Sequence, residues 1–189
     1  MFNEREIISR ILNGDLQAFE LLVKQYQQLV FYIVNKLVKE QPDTEDISQE
    51  VFIKVYENLR NFSFKSKLST WIASIAYRTA LNHIRDNKKA RIMHSGEDIA
   101  DFYFTTETPE RLSEQKDITA YINKLIAEMP LPYKSVLTLY HMNELSYQEI
   151  EQITGMPEGT VKNYLFRARK LLKDKLKSCL KDEYIRKPD

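Results

Sequence analysis

The sequence predicts an all-α protein with two helical domains joined by an acidic linker, and the C-terminal domain contains a helix-turn-helix. Apolar residues recur at helical spacing in both halves, and no segment alternates with a period of two for long enough to predict a strand. Residues 95–114 interrupt the helical pattern with serine, glycine, acids, threonines and a proline. We therefore expect domains at residues 1–94 and 115–182, with the linker between them.

Composition supports a folded intracellular chain. Of its 189 residues 43% are apolar, and only four are glycine and six proline, which is typical of packed domains. Its one cysteine, Cys179, fits a reducing cytoplasm, and no signal peptide or membrane span is predicted. His83, His94 and His141 lack metal-ligand spacing, and no catalytic constellation is present. We expect no enzyme activity, no cofactor and no small-molecule substrate.

The net charge of +1 conceals a strong separation of charge along the chain. Residues 64–94 carry seven lysines and arginines against one acid, and residues 155–181 carry eight against two. Residues 97–117 carry seven acids against two bases. Two basic regions separated by an acidic one favour two contacts with nucleic acid joined by a linker.

The N-terminal half contains three amphipathic helices of appreciable length. The first begins near Asp15 and ends before Pro42, and Thr44 is a candidate cap for the second. The third begins near Ser69 and carries an apolar stripe, on which His83 is expected to be a core histidine.

Two surfaces stand out in this half. On the second helix Asp46, Gln49, Glu50, Ile53 and Glu57, here called the acidic stripe, lie away from the core positions. An apolar residue among acids suggests protein docking, while the alternative is an ordinary solvated face.

Before and along the third helix lie candidate contacts for single-stranded nucleic acid. The segment Phe62–Lys67, here called the basic loop, mixes aromatic rings with lysines, which is how unstacked bases and their phosphates are held. Arg78, Asn82 and Arg85 form an arginine face on the helix, and Trp71 lies on the same side. Core packing of Trp71 is at least as well supported as base contact.

The C-terminal half begins with one helix ending near Met129 and another from Leu131 to about Asn143. The helix-turn-helix follows. Ser146 and Glu149 form a capping box, Gly155 supplies the left-handed turn, and Pro157 suits the start of the last helix.

The last helix sorts its residues into two faces. Apolar residues from Val161 to Leu176 fall on one side. The other side, here called the basic face, consists of Lys162, Asn163, Phe166, Arg167, Lys170 and Lys173. Such a face is what reading a DNA major groove requires, whereas a charge run alone would indicate only a solvated helix.

Together these segments resemble the extracytoplasmic-function (ECF) sigma factors, from about Asp15 to about Lys177. The segments that carry the resemblance are Asp46–Phe52, Leu68–Arg85, Leu131-Pro132, Ser146–Ile150, Gly159–Lys162 and Arg167–Arg169. Departures from the family's pattern occur at Arg78, His83, Glu151 and Tyr164. Glu151 replaces a small residue where helices cross closely, so we expect it to turn to solvent or to pair with a base.

The resemblance implies a promoter-recognition subunit of bacterial RNA polymerase, without catalysis of its own. It places core-polymerase binding on Asp46, Gln49, Glu50 and Ile53. It places the −10 element on Phe64, Lys65, Ser66, Lys67, Trp71, Arg78, Asn82 and Arg85, and the −35 element on Thr160, Lys162, Asn163, Tyr164, Phe166, Arg167, Lys170 and Lys173. An anti-sigma factor is the further implied partner. A stand-alone helix-turn-helix regulator is the alternative function, and it would leave the acidic stripe unexplained; a helical adaptor is a third.

Overall fold

A computed structural model describes residues 3–38, 41–95, 115–142 and 145–185, and all of its regular elements are helical. The α-helices are α1 (Glu4–Leu12), α2 (Leu16–Leu37), α3 (Gln41–Asn58), α4 (Leu68–Ser95), α5 (Gln115–Ala127), α6 (Leu131–Met142), α7 (Tyr147–Thr154) and α8 (Glu158–Ile185), with a 3-10 turn at Leu59–Asn61. The all-α prediction is confirmed for these residues. Apart from Ser95, the predicted linker lies outside the described residues.

Helix α2 is the axis of the N-terminal half, and local chemistry sets both of its ends. Asp15 Oδ1 accepts hydrogen bonds from the backbone N–H groups of Gln17 and Ala18, at 3.0 and 3.1 Å. These bonds satisfy donors that the first turn leaves unpaired. Arg10 of α1 pairs with the same carboxylate at 2.8 Å, so the cap also joins α1 to α2.

Helices α2, α3 and α4 pack together through their apolar stripes. Fully buried residues from all three helices form the core: Leu22, Val30, Ile33 and Val34 of α2, Val51 and Val55 of α3, and Leu68, Ile72, Ala76 and Ala80 of α4. Removal of this apolar surface from water is the main contribution to the stability of the bundle.

Two sequence predictions in this half are wrong. Thr44 does not cap α3, because the helix already begins at Gln41; Thr44 is buried, and its carbonyl accepts a hydrogen bond from the Ser48 hydroxyl at 2.6 Å. His83 is not a core histidine either. Its ring is only partly buried, and Nε2 lies 3.1 Å from Asp43 Oδ2, because a polar ring at the end of the apolar stripe finds a carboxylate on the neighbouring helix.

The C-terminal half contains the helix-turn-helix as predicted. At the start of α7, Ser146 Oγ accepts from the Glu149 backbone N–H at 3.2 Å, and Glu149 Oε2 accepts from the Ser146 backbone N–H at 2.8 Å. Gly155 ends the helix at a φ of +73°. Helix α8 follows Pro157, whose carbonyl accepts from the Thr160 and Val161 N–H groups.

Helix α8 buries one face against α6 and α7, as its pattern predicts. Val161, Leu165 and Ala168 are buried, and the ring of Tyr164 packs edge-on against Tyr133 of α6 with centroids 5.2 Å apart. This packing determines which side of α8 faces outward.

The two halves are packed against each other. Helix α7 lies on α4, and α6 lies on α2, so the buried apolar residues of both halves form a continuous cluster. Sequence periodicity predicts which face of each helix is buried but not that the two bundles share a boundary.

In the described part of the chain, no helix combines the length and apolar character needed to cross a bilayer.

Gly155 provides a direct stability prediction. A Gly155→Ala substitution places a Cβ in the left-handed region and should lower the free energy of unfolding by about 1–2 kcal/mol. Urea denaturation followed by circular dichroism measures this. The matched control is Gly159→Ala, at a helical position where a Cβ meets nothing within 4 Å. It should leave stability unchanged or raise it by up to about 1 kcal/mol. Equal losses in the two variants would contradict the argument.

Candidate nucleic-acid interface

The basic face of α8 is exposed, as the sequence predicts. All six of its residues are exposed: Lys162, Asn163, Phe166, Arg167, Lys170 and Lys173. Phe166 is 67% exposed, although burial is the usual environment of an aromatic ring. The face is thus positioned for a partner outside the chain.

Rings from α6 and α7 hold cations beside this face. Tyr140 and Tyr147 are stacked with centroids 5.4 Å apart; Arg169 lies 4.9 Å from the Tyr140 centroid and Lys162 5.3 Å from that of Tyr147. Cations over aromatic faces are stabilised electrostatically and restricted in their orientation. This cluster was not predicted from the sequence, because its rings and cations lie on three different helices that only the tertiary structure brings together.

Glu158 also restrains Lys162. Its carboxylate accepts a hydrogen bond from Lys162 Nζ at 2.6 Å, one turn apart on α8, and this raises the pKa of Lys162. The ammonium is therefore charged, and its orientation is restricted by Glu158 and by the Tyr147 ring. Of the remaining predicted −35 residues, Thr160 and Tyr164 are partly buried, and Tyr164 is anchored on Tyr133.

On α4, the arginine face is exposed on the side opposite the buried stripe. Arg78, Asn82 and Arg85 are all exposed, and their spacing of four and three residues puts them on one side of the helix. Arg85 Nε lies 3.6 Å from Asp86 Oδ1, a loose surface pair.

The basic loop is built on aromatic rings in tilted contact. Phe62 is buried, and it contacts Phe64 and Trp71 with centroid distances of 4.7 and 5.2 Å. Trp71 therefore packs on the core through Phe62, while remaining only partly buried. The sequence left two interpretations of Trp71 open, core packing and base contact. The structure shows that the Trp71 ring packs against the core while part of it remains exposed.

Phe64 presents its ring to solvent from an unusual backbone conformation. Its φ is +57° and its side chain is 43% exposed, while the Arg5 guanidinium of α1 lies 4.9 Å from its centroid. Positive φ is costly for an aromatic residue, and such strain is concentrated at functional sites. Arg5 is not among the residues predicted for this surface, because only the tertiary structure brings α1 to the basic loop.

Glu149 connects the basic loop to the helix-turn-helix. Its Oε1 accepts from Lys67 Nζ at 2.9 Å and from the Thr70 hydroxyl at 3.3 Å. Burial opposes ionisation of this carboxyl, but hydrogen bonds from the Ser146 backbone N–H, Lys67 and the Ser146 hydroxyl together lower the pKa of Glu149 to about 2.

A pocket of about 270 Å³ lies at the same place. Lys65, Ser66, Thr70, Trp71 and Ser74 line it from the N-terminal half, and Gln152 of α7 lines it from the other. The basic loop and the first helix of the helix-turn-helix therefore share one surface.

The acidic stripe on α3 is exposed. Asp46, Gln49 and Glu50 are exposed, Ile53 is 59% exposed, and Glu50 pairs with Lys54 at 2.6 Å. The stripe remains available for a partner.

Glu151, a departure noted in the sequence, turns to solvent on α7 as expected. No metal-binding group of three or more His, Cys, Asp or Glu side chains occurs among the described residues.

A helical molecule with a groove-reading helix-turn-helix and a second basic surface belongs to the DNA-binding transcription proteins. Comparison with known families narrows this class. Residues 22–90 match the family Sigma-70 region 2, and residues 119–172 match Sigma-70, region 4.

Full-length relatives agree with these matches. The RNA polymerase sigma-H factor of Pseudomonas aeruginosa is 32% identical over 187 residues, covering 95% of this chain and 96% of that protein. The ECF RNA polymerase sigma-E factor of Escherichia coli K12 is 30% identical over 189 residues, covering 94% and 96% respectively. The chain belongs to the ECF sigma factors, the initiation factors that bind core RNA polymerase and direct it to promoters.

Solved structures share the fold. CnrH, in complex with the cytosolic domain of CnrY, superposes with a TM-score of 0.67 at 16% identity, covering 93% of this chain and 97% of that one. The sigma factor RpoE from Bartonella quintana, in complex with the anti-sigma factor NepR, also superposes with a TM-score of 0.67. It is 19% identical in sequence, and the match covers 84% of this chain and 96% of that one.

The depressed pKa of Glu149 predicts a pH dependence. A group whose folded pKa is lowered stabilises the folded state above its unfolded pKa, and this contribution is lost as the pH falls through the folded pKa. For Glu149 that window runs from 4.5 down to about 2. The stability deficit of Glu149→Gln relative to wild type should therefore be full at pH 7 and smaller at pH 3.5. Urea midpoints at both pH values measure it, and a deficit that grows on acidification would refute the assignment.

Proposed function

We propose that the two domains divide promoter recognition between them. Residues 1–94 bind core polymerase through the acidic stripe and hold the melted −10 strand, residues 115–182 read the −35 element, and residues 95–114 connect the two. The observation that carries this proposal is the exposure of two separate basic surfaces, one on α8 and one on α4, in a chain of almost neutral net charge.

For the −35 element, the reading residues are on the exposed side of α8. Arginine and asparagine make bidentate contacts with guanine and adenine in the major groove, and Arg167 and Asn163 supply them here. Phe166 makes apolar contact with a base or a thymine methyl group. Lys170 and Lys173, one and two turns further along the helix, reach phosphates and set the register.

For the −10 element, the basic loop and the arginine face act together. Phe64, exposed on its strained backbone, stacks on an unpaired base, while Lys65 and Lys67 contact the backbone of the strand. Arg78, Asn82 and Arg85 continue the contact along α4. Stacking and phosphate contacts offset the few kcal/mol that extruding a base costs.

For polymerase binding, Ile53 is the apolar centre of the acidic stripe. An exposed aliphatic side chain surrounded by Asp46, Gln49 and Glu50 offers a small apolar contact with a charged rim, as protein interfaces often do. The charges steer the approach of a basic partner surface.

We also propose that an anti-sigma factor controls the protein. Two proteins with the same fold were solved in complexes, CnrH with the cytosolic domain of CnrY and the sigma factor RpoE with the anti-sigma factor NepR. We place the activity in the cytoplasm, where polymerase transcribes the chromosome, and assign the chain no catalysis of its own.

The assay that tests the whole proposal is promoter-specific initiation by core polymerase with and without the chain; absence of both initiation and core binding would overturn it.

Arg167 tests the −35 assignment. Arg167→Ala should weaken holoenzyme binding to a promoter selected from a randomised −35 library by about 1–3 kcal/mol, since a bidentate base contact is lost. It should also relax the base preference at one −35 position. Quantitative gel-shift titration at fixed salt measures both. Lys24→Ala, which removes an equal exposed charge on α2, is the control and should leave affinity unchanged. Unaltered affinity and preference in Arg167→Ala would contradict the placement.

The acidic stripe is tested by charge reversal. Asp46→Lys combined with Glu50→Lys should reduce affinity for core polymerase at least tenfold, because the partner then meets like charge. Fluorescence titration of labelled chain with core enzyme measures the affinity. The control is the double reversal Glu20→Lys and Asp174→Lys, which changes the net charge equally at exposed sites on α2 and α8. Similar loss in both variants with unchanged melting curves would exclude a specific stripe.

A further inference from the structure

Phe64 holds an exposed ring on a backbone conformation that is unusual for an aromatic residue. Its φ is +57° and the residue is 43% exposed, so burial alone does not keep the ring in place. The left-handed conformation lies above the extended and right-handed ones in energy, and it persists only where the surroundings restrain it. Phe62 and Arg5 both contact this ring, and they restrain it in different ways.

The contact with Phe62 joins the ring to the core of the N-terminal half. Phe62 is 7% exposed and lies 4.7 Å from Phe64 and 5.2 Å from Trp71 of α4, measured between ring centroids. Because Phe62 is itself packed in the core, it cannot move far without disturbing that packing. It therefore supports Phe64 from within the basic loop.

The contact with Arg5 is electrostatic and comes from another helix. The guanidinium carbon of Arg5 lies over the Phe64 ring, 4.9 Å from its centroid, where the negative face of the ring attracts a cation. Both residues are exposed, so burial of apolar surface does not explain the contact. Arg5 also lies outside residues 22–90, which match Sigma-70 region 2. The restraint is thus added to the matched domain by α1.

Helix α1 is fixed firmly enough to act as an anchor for Arg5. The neighbouring Glu4 accepts a hydrogen bond from the Tyr26 hydroxyl of α2 at 2.8 Å. On the other side of Arg5 in the chain, Ile7 and Ile8 are buried in the core. The backbone that carries Arg5 is therefore held against α2, and the position of the guanidinium is set by the fold.

From these observations we propose that Arg5 is a positioning residue for the −10 element, which holds the Phe64 ring where an unpaired base stacks on it. The inference rests on the proposed stacking role of Phe64. Arg5 acts through the ring and not through a phosphate of the strand. Without the cation, the loop relaxes towards an unstrained backbone and the ring leaves the stacking position.

The test uses holoenzyme assembled with the full-length chain on a promoter that it opens. Bases of the non-template −10 strand are replaced singly by the fluorescent analogues 2-aminopurine or pyrrolocytosine, whose emission is quenched when they stack on a ring. Arg5→Gln keeps a planar polar group but removes the charge. It should reduce quenching at the stacked base and lower the equilibrium constant for promoter opening about two- to fivefold, as expected for an exposed cation–π contact.

Two further variants show whether the charge over the ring is responsible. Arg5→Lys retains a cation and should recover most of the quenching. Lys24→Gln removes an equal exposed charge from α2 and is the matched control, which should change neither readout. Melting curves followed by circular dichroism check that each variant is folded. A loss in Lys24→Gln equal to that in Arg5→Gln would refute the positioning role, because net charge alone would then explain it.

A double-mutant cycle separates positioning of the ring from direct contact with DNA. In a Phe64→Leu background there is no aromatic ring to hold, so Arg5→Gln should change promoter opening by less than about 1.5-fold. An equal loss in both backgrounds would mean that Arg5 acts on the strand by itself, and the proposal would be wrong. Stronger quenching in Arg5→Gln than in wild type would mean that the guanidinium obstructs the ring, which also contradicts it.

The outcomes distinguish this inference from the proposed function. If Phe64→Leu impairs quenching and promoter opening while folded Arg5→Gln matches wild type, the positioning role is overturned and the −10 assignment of Phe64 stands. If Phe64→Leu leaves both readouts unchanged, the stacking role of Phe64 is wrong, and the inference that depends on it is overturned as well.

Discussion

The burial of one stripe of α4 is the constraint on which the rest of the molecule depends. Leu68, Ile72, Ala76 and Ala80 are completely buried against α2 and α3, and no other rotation of α4 would bury all four. This rotation directs the arginine face outward. The basic loop directly precedes α4, and its Phe62 ring packs on the same core together with Trp71 of α4. The proposed −10 surface is therefore a consequence of core packing.

The capping box of α7 is a second point at which stability and function meet. Glu149 completes the start of the helix by accepting the Ser146 N–H, and its other oxygen binds Lys67. One carboxylate with two oxygens thus serves local helix formation and contact between domains. A motif whose sequence signature is purely local therefore also contributes to the packing of the two halves.

Much of the fold could be predicted because helix formation is governed by local chemistry. The Asp15 cap, the Ser146–Glu149 capping box and the positive φ of Gly155 depend on neighbouring residues, and all three are observed. The two errors had different causes, an earlier helix start for Thr44 and a distant partner for His83. Thr44 lies inside α3 and is buried, and His83 pairs with Asp43, forty residues away. The cation held over Phe64 comes from Arg5 of α1, which no spacing near the loop indicates.

The sequence by itself determined the helices, their buried and exposed faces, the helix-turn-helix and the family, because periodicity, caps and motifs are written in neighbouring residues. Only the tertiary structure decided where Glu149 points, which rings orient Lys162 and Arg169, and that α7 rests on the basic loop. These features depend on contacts between residues far apart in the chain. Sequence pattern specifies that a face is buried or exposed, but the partner of that face is chosen by packing in three dimensions.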